Sequence, residues 1–129
     1  MITLARLRLG WLALVVLLLP LPAAAWQQTE WSTDYGPMTL QYEGDRVTGV
    51  YPDHKGWLEG SVTRDGVLEG YWAQPTSGQA CAYAVLGSLY WGTFQFWPVS
   101  DTRFEGQWAY CDAAPGSGGS WSGNLTGAR

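Results

Sequence analysis

Five times between Val47 and Trp108 the chain repeats one short pattern: an apolar residue, any residue, glycine, any residue, then a ring or an aliphatic side chain. Three copies are close: Val47-Thr48-Gly49-Val50-Tyr51, Leu58-Glu59-Gly60-Ser61-Val62 and Leu68-Glu69-Gly70-Tyr71-Trp72. Tyr90-Trp91-Gly92-Thr93-Phe94 and Phe104-Glu105-Gly106-Gln107-Trp108 are looser. The period is that of a strand, in which the first, third and fifth side chains share a face. Val47, Tyr51, Leu58, Val62, Leu68, Trp72, Phe94, Phe104 and Trp108 therefore face one side. Glycine weakens a strand interior, so its regular return means crowding, either a tight bend of a curled sheet or a ring lying across the backbone.

The alternation extends upstream, with Met38, Leu40 and Tyr42 on one side and Thr39 and Gln41 on the other. Turns fall at Glu43-Gly44-Asp45, Pro52 to Gly56 and Arg64-Asp65-Gly66, and Asp-Gly between alternating runs is a strong hairpin signal. No window after Trp26 has helical spacing. The reading is all-β, an antiparallel up-and-down meander of about eight short strands. They are Met38–Tyr42, Arg46–Tyr51, Trp57–Thr63, Val67–Ala73, Cys81–Leu86, Leu89–Trp97, Arg103–Tyr110 and Ser120–Ala128. Closure into a small barrel removes exposed edges, with an open twisted sheet or sandwich as the alternative.

The opposite face carries Thr48, Glu59, Ser61, Glu69, Tyr71, Trp91, Glu105 and Gln107. Its three glutamates share one repeat position, as a cation-holding or acid/base row would, but alternation against a core also produces a solvated outer face. Rings on that face mark a binding patch more readily than carboxylates do. Trp91, Tyr71, Trp97 and Glu105 are the candidate ligand residues.

Residues 1–25 read as a secretory signal peptide: Arg6 and Arg8, the apolar run Leu9 to Leu19, helix-breaking Pro20 and Pro22, then Ala23-Ala24-Ala25. Eleven apolar residues fall short of the roughly 20 a spanning helix needs, so no membrane anchor is expected after cleavage. Residues 26–129 form one all-β domain in this reading, with 5 cations against 11 anions. That balance excludes a phosphate-binding footprint and with it a nucleic-acid partner. Two cysteines remain, Cys81 and Cys111. In an exported chain, periplasmic or secreted, an even count reads as a disulfide. Neither lies in a C-x-x-C, so neither a redox pair nor a metal site is expected.

Catalytic motifs are scarce. The one histidine, His54, sits in a polar turn, and the chain has no nucleophile elbow, phosphate loop or EF-hand loop. A glycosidase-type carboxylate pair is defined by distance in space, and Asp34, Glu59, Glu69, Asp101 and Glu105 are its candidates. No cofactor is expected.

Two resemblances carry further expectations. Trp31-x-Thr33-x-x-Gly36-x-Met38-x-Leu40, Val47-x-Gly49-x-Tyr51, Tyr90-Trp91-Gly92, Phe104-x-Gly106-x-Trp108-x-Tyr110-Cys111 and Trp121-x-Gly123 resemble a group of small exported bacterial Trp/Gly-rich β domains of unknown function. That likeness implies an exported β domain without implying an activity. More remotely, Trp31-Ser32-Thr33-Asp34-Tyr35-Gly36 followed by Val47-Thr48-Gly49-Val50-Tyr51 is similar to the first hairpin of avidin-like barrels, and Phe104-Glu105-Gly106-Gln107 to a later strand. Thr33 and Pro37 stand where that family has ligand-bonding Asn and Ser. Proline offers neither hydroxyl nor N–H, so the likeness implies the barrel without biotin binding. The functional expectation is a non-catalytic binding or interaction module of the cell envelope, with a glycan or protein partner. A carboxylate-dependent hydrolase and a purely structural envelope protein are the alternatives.

Overall fold

A computed structural model describes residues 27–129; the signal segment read at residues 1–25 lies outside the described residues. The strands are β1 (Gln28–Thr33), β2 (Gly36–Glu43), β3 (Arg46–Tyr51), β4 (Gly56–Val62), β5 (Leu68–Gln74), β6 (Tyr90–Ser100), β7 (Arg103–Tyr110), β8 (Gly119–Ser120) and β9 (Gly123–Ala128). A one-turn 3-10 segment, Pro52–His54, joins β3 to β4. Strands β1 to β7 pair in sequence order, and β9 pairs with both β7 and β1, so eight antiparallel strands close a barrel. The two-residue β8 is added beside β7, where Gln107 faces Ser120 and Trp108 faces Gly119. Closure leaves no edge among the eight, as expected for a curled meander.

The repeat sets the inside of the barrel. Val47, Tyr51, Leu58, Leu68, Trp72, Phe94 and Phe104 are all buried, and Val62 and Trp108 pack against them. The glycines fill both roles expected of them. Gly60 and Gly70 are cross-strand partners, and a Cβ on either would strike the neighbouring strand's backbone. Gly56 lies under the ring of Tyr51, and Gly92 does both, against the Ala109 carbonyl and under the ring of Trp72.

The structure splits Ser120–Ala128, read as one strand, into β8 and β9, and it departs further at two strands. The barrel begins with β1, which the apolar pattern does not reveal because its inward residues are Thr29, Trp31 and Thr33. Thr29 is the one buried polar residue among those described, and its hydroxyl accepts from Trp31 Nε1 (2.8 Å) and pairs with Tyr42 Oη (2.9 Å). The second departure is Cys81–Leu86, read as a strand and found in a loop. Its apolar residues cover the outside of the barrel, and a turn with Leu86 and Gly87 both at positive φ leaves only a Val85–Ser88 bridge.

The ends of the barrel differ. β2–β3, β4–β5 and β6–β7 turn at one end through residues 44–45, 63–67 and 101–102. The other end carries residues 34–35, 52–55, 75–89 and 111–118. The disulfide Cys81–Cys111, with Cα atoms 5.5 Å apart, ties its two longest loops together.

Candidate functional site

Strands β3, β5 and β7 all run toward the loop-bearing end. Their repeat copies begin with Val47, Leu68 and Phe104 and finish with Tyr51, Trp72 and Trp108, so the terminal ring of each copy arrives at the mouth. Each ring has a glycine where a Cβ would collide with it: Gly56 beneath Tyr51, Gly92 beneath Trp72 and Gly118 beneath Trp108. Tyr35, Tyr110 and Trp121 complete an aromatic wall around a cavity of about 340 Å³.

Hydrogen bonds to the protein hold most of these rings. Trp72 Nε1 donates to the Ala109 carbonyl (3.2 Å) and Trp108 Nε1 to Tyr35 Oη (3.0 Å). Tyr35 Oη donates on to the Ser120 carbonyl (3.4 Å), and Gln74 Nε2 donates to Tyr51 Oη (3.2 Å). Burial pushes the Tyr51 phenol well above its usual range, which outweighs the opposing effect of the Gln74 bond. Trp121 is buried, its indole N–H without a hydrogen-bond partner in the protein, and it meets Tyr35 and Tyr51 edge to face at 5.3 and 5.0 Å. Edge-to-face packing is the favoured arrangement for such rings.

Loop 75–89 supplies the remaining wall through Thr76, Ser77 and Gly78. It is anchored at the disulfide, by Trp57 Nε1 donating to Leu86 O (3.1 Å) and by Ser88 Oγ donating to Gln74 O (2.6 Å). His54 stands at the rim, its ring 5.6 Å from that of Tyr35. Among the described residues, no Asp, Glu, Lys or Arg lines this cavity.

The candidates read from sequence do not gather at one site. Trp91 points outward as the alternation requires, but loop 75–89 folds over it and leaves it 1% exposed. Its Nε1 donates to the Tyr83 carbonyl (2.7 Å), so it is a buried anchor for the loop and offers no open face for stacking. Tyr71 remains 45% exposed and packs edge to face on Trp91 at 5.7 Å. It lies in an open groove on the outer wall with Glu59, Glu69, Gln95 and Arg46. Half-buried Trp97 sits six residues beyond Trp91 on the same strand, about 20 Å away at strand rise. Its cross-strand partner is exposed Glu105, which Arg103 pairs at 3.7 Å.

The carboxylates are scattered too. Asp34 Oδ2 accepts from both the backbone N–H and the hydroxyl of Ser122 (2.9 and 3.1 Å), and Asp101 lies in the turn at the far end. Thr33 turns its hydroxyl to the Gly36 carbonyl at 2.7 Å, within its own hairpin.

Tyr35, Tyr110 and Trp121 are mouth residues that the sequence reading did not single out, and His54, read there as a polar turn residue, joins them at the rim. For Tyr110 a signal was present, since it follows Trp108 at strand spacing on the inward face. For Trp121 and His54, which flank β9 and β4, only the closed topology supplies the placement.

Comparison with known proteins adds no relative: no protein family, curated protein or solved structure matches the chain.

Proposed function

We propose that this chain is an exported, non-catalytic binding domain of the cell envelope that takes a small ligand into the mouth of its barrel. The observation that carries the reading is the mouth cavity, walled by six aromatic rings and tied open by a disulfide-anchored loop. Its volume of about 340 Å³ falls within the ~300–1,000 Å³ range of small-molecule sites, which are concave, mostly apolar and furnished with few polar groups. A ligand with a C–H-rich surface, such as a glycan fragment, suits such walls.

Binding is favoured over carboxylate-dependent hydrolysis by the position of the acids. Glu59, Glu69 and Glu105 stand on the outer wall, with Arg46 beside Glu59 and Arg103 beside Glu105 at 3.6 and 3.7 Å. The disulfide suits an oxidising compartment, and the Thr, Gln and Glu residues on the outer wall suit water.

The test is a titration followed by NMR of the indole N–H signals, with soluble glycans, peptidoglycan fragments, biotin and small organic cations as ligands. The expected result is a perturbation centred on Trp72 and Trp108. A perturbation confined to Trp91, whose ring packs on Tyr71, would move the site to the outer groove. No response to any probe would overturn the small-ligand reading in favour of a protein partner or a structural role.

A further inference from the structure

We propose that the group taken into the mouth is a quaternary ammonium, an inference that rests on reading the mouth as the ligand site. The polar handles of the rings carry the first part of the argument. The N–H groups of Trp72 and Trp108 and the hydroxyl of Tyr35 all donate to protein atoms, Tyr51 Oη accepts from Gln74, and the Trp121 N–H is buried without a partner. What the two indoles of Trp72 and Trp108 have left for a guest is their π surface. That surface attracts a cation through the ring quadrupole, most strongly for tryptophan.

Geometry carries the second part. Trp72 and Trp108 are inclined at 86°, Trp108 and Tyr110 at 86°, and Trp72 and Tyr110 at 66°, with centroids 5.0 to 6.0 Å apart. The three planes, two pairs of them near perpendicular and the third at 66°, meet edge to face in a corner. A rounded trimethylammonium group touches several walls of such a corner together, whereas a flat ring lies against one.

Charge and hydrogen-bonding capacity complete the argument. An anion entering the cavity would meet no Lys or Arg in its lining. The loops around the mouth carry Asp34, Asp53 and Asp112 against Lys55, a balance that favours a cation. A primary ammonium brings three N–H donors that each need an acceptor, and a sugar brings several hydroxyls with the same need. The buried lining atoms left without a partner are Ser77 Oγ and Trp121 Nε1, which offer one acceptor between them. A quaternary ammonium has no N–H, so it enters the cavity without leaving a donor unpaired.

The experiment is calorimetric titration of the oxidised protein with choline and with choline's uncharged isostere, in which carbon replaces nitrogen. Shape is held constant while charge is removed, and the expected loss is tenfold or more, roughly the strength of a desolvated cation–π contact. Trp108→Leu and Tyr110→Leu should each weaken choline by about tenfold, and Trp108→Phe, which keeps a ring, by less. A thermal melt of each variant establishes that it is folded. Phosphatidylcholine vesicles, scored by co-sedimentation, separate the sources of the group: capture by vesicles without affinity for free choline assigns a lipid headgroup, and the reverse assigns a soluble solute. Equal affinity for choline and its isostere would overturn the proposal while leaving the mouth as a ligand site. Binding of a glycan fragment, with choline and vesicles both silent, would overturn it in the same way. Silence from every probe, glycans and biotin included, would overturn the mouth reading as well.

Discussion

At one end of the barrel β2 turns into β3 through two residues and β6 into β7 through two, while at the other end β5 reaches β6 only after fifteen residues. The interior changes along the same axis. Toward the tight turns, Val47, Leu68, Phe96 and Phe104 fill the space with groups that have no polar atom, and Phe96 and Phe104 have centroids 4.4 Å apart. Toward the loops, the residues of the same repeat are Tyr51, Trp72 and Trp108. Apolar groups packed to native density are the main source of folding free energy. A wall of tryptophan and tyrosine held by hydrogen bonds can keep its shape around a hollow. One pentapeptide pattern serves both ends because the strands that run toward the loops all begin with the plug residue and finish with the wall residue.

Damage to the plug should have the largest effect. Phe104→Ala removes a buried ring that touches Phe96 and Trp31, and should lower stability by about 4 kcal/mol. In a domain of this size that is a fall of about 20 °C in the thermal midpoint, with mouth affinity retained in the protein that remains folded. Loss of ligand affinity in folded Phe104→Ala protein would break the division between the ends.

Replacing Cys81 and Cys111 together by serine should cost slightly less, about 3.5 kcal/mol, because the closed loop spans 30 residues. Here affinity should fall as well, since residues 76–78 are no longer held as a wall. Hydrogen exchange should quicken over 75–89 before it quickens in β3. Uniform acceleration over both segments would mean that the bond serves the whole barrel.

Alkaline titration discriminates more finely. Burial raises the native phenol values of Tyr51 and Tyr42, the latter against the opposing bond to Thr29. A raised native value leaves stability intact below the ordinary phenol value of about 10, and stability is then lost as pH climbs toward the native values. Unfolding monitored by near-ultraviolet circular dichroism should therefore be flat through neutral pH and decline above about pH 10, and Tyr51→Phe should blunt the decline. A melting temperature that falls equally in the variant would place the sensitivity elsewhere.

The smallest effect belongs to the outer wall. Glu105→Gln removes one member of an exposed pair with Arg103, and should change stability by less than about 0.5 kcal/mol and mouth affinity not at all. A measurable loss of ligand affinity in Glu105→Gln would return the site to the outer face.

The elements differ in how far the sequence alone reveals them. β3, β4, β5 and β7 were legible because both signals agree there: alternation assigns the face, and turn residues such as Asp65-Gly66 mark the ends. β1 was hidden because Thr29 and Thr33 face inward, and a threonine reads as core only when its hydroxyl partners are known. Cys81–Leu86 misled for the converse reason. Its apolar residues cover Trp91 from outside the barrel, and a short apolar run does not reveal which side of a sheet it covers. Alternation puts Trp91 on the outer face but says nothing of the loop that covers it, since alternation gives direction and not depth.

Local spacing and turn chemistry thus suffice for the strand period, the antiparallel sense, the inward set from Val47 to Trp108 and the two cysteines that pair. Tertiary structure decided that β9 closes on β1, that Tyr35, His54 and Trp121 meet Trp72 and Trp108 at one mouth, and that loop 75–89 buries Trp91. Those outcomes depend on strand direction and on contacts between residues far apart in the chain, such as Trp108 and Tyr35, 73 positions away. No local periodicity encodes such contacts, because they exist only once the barrel has closed.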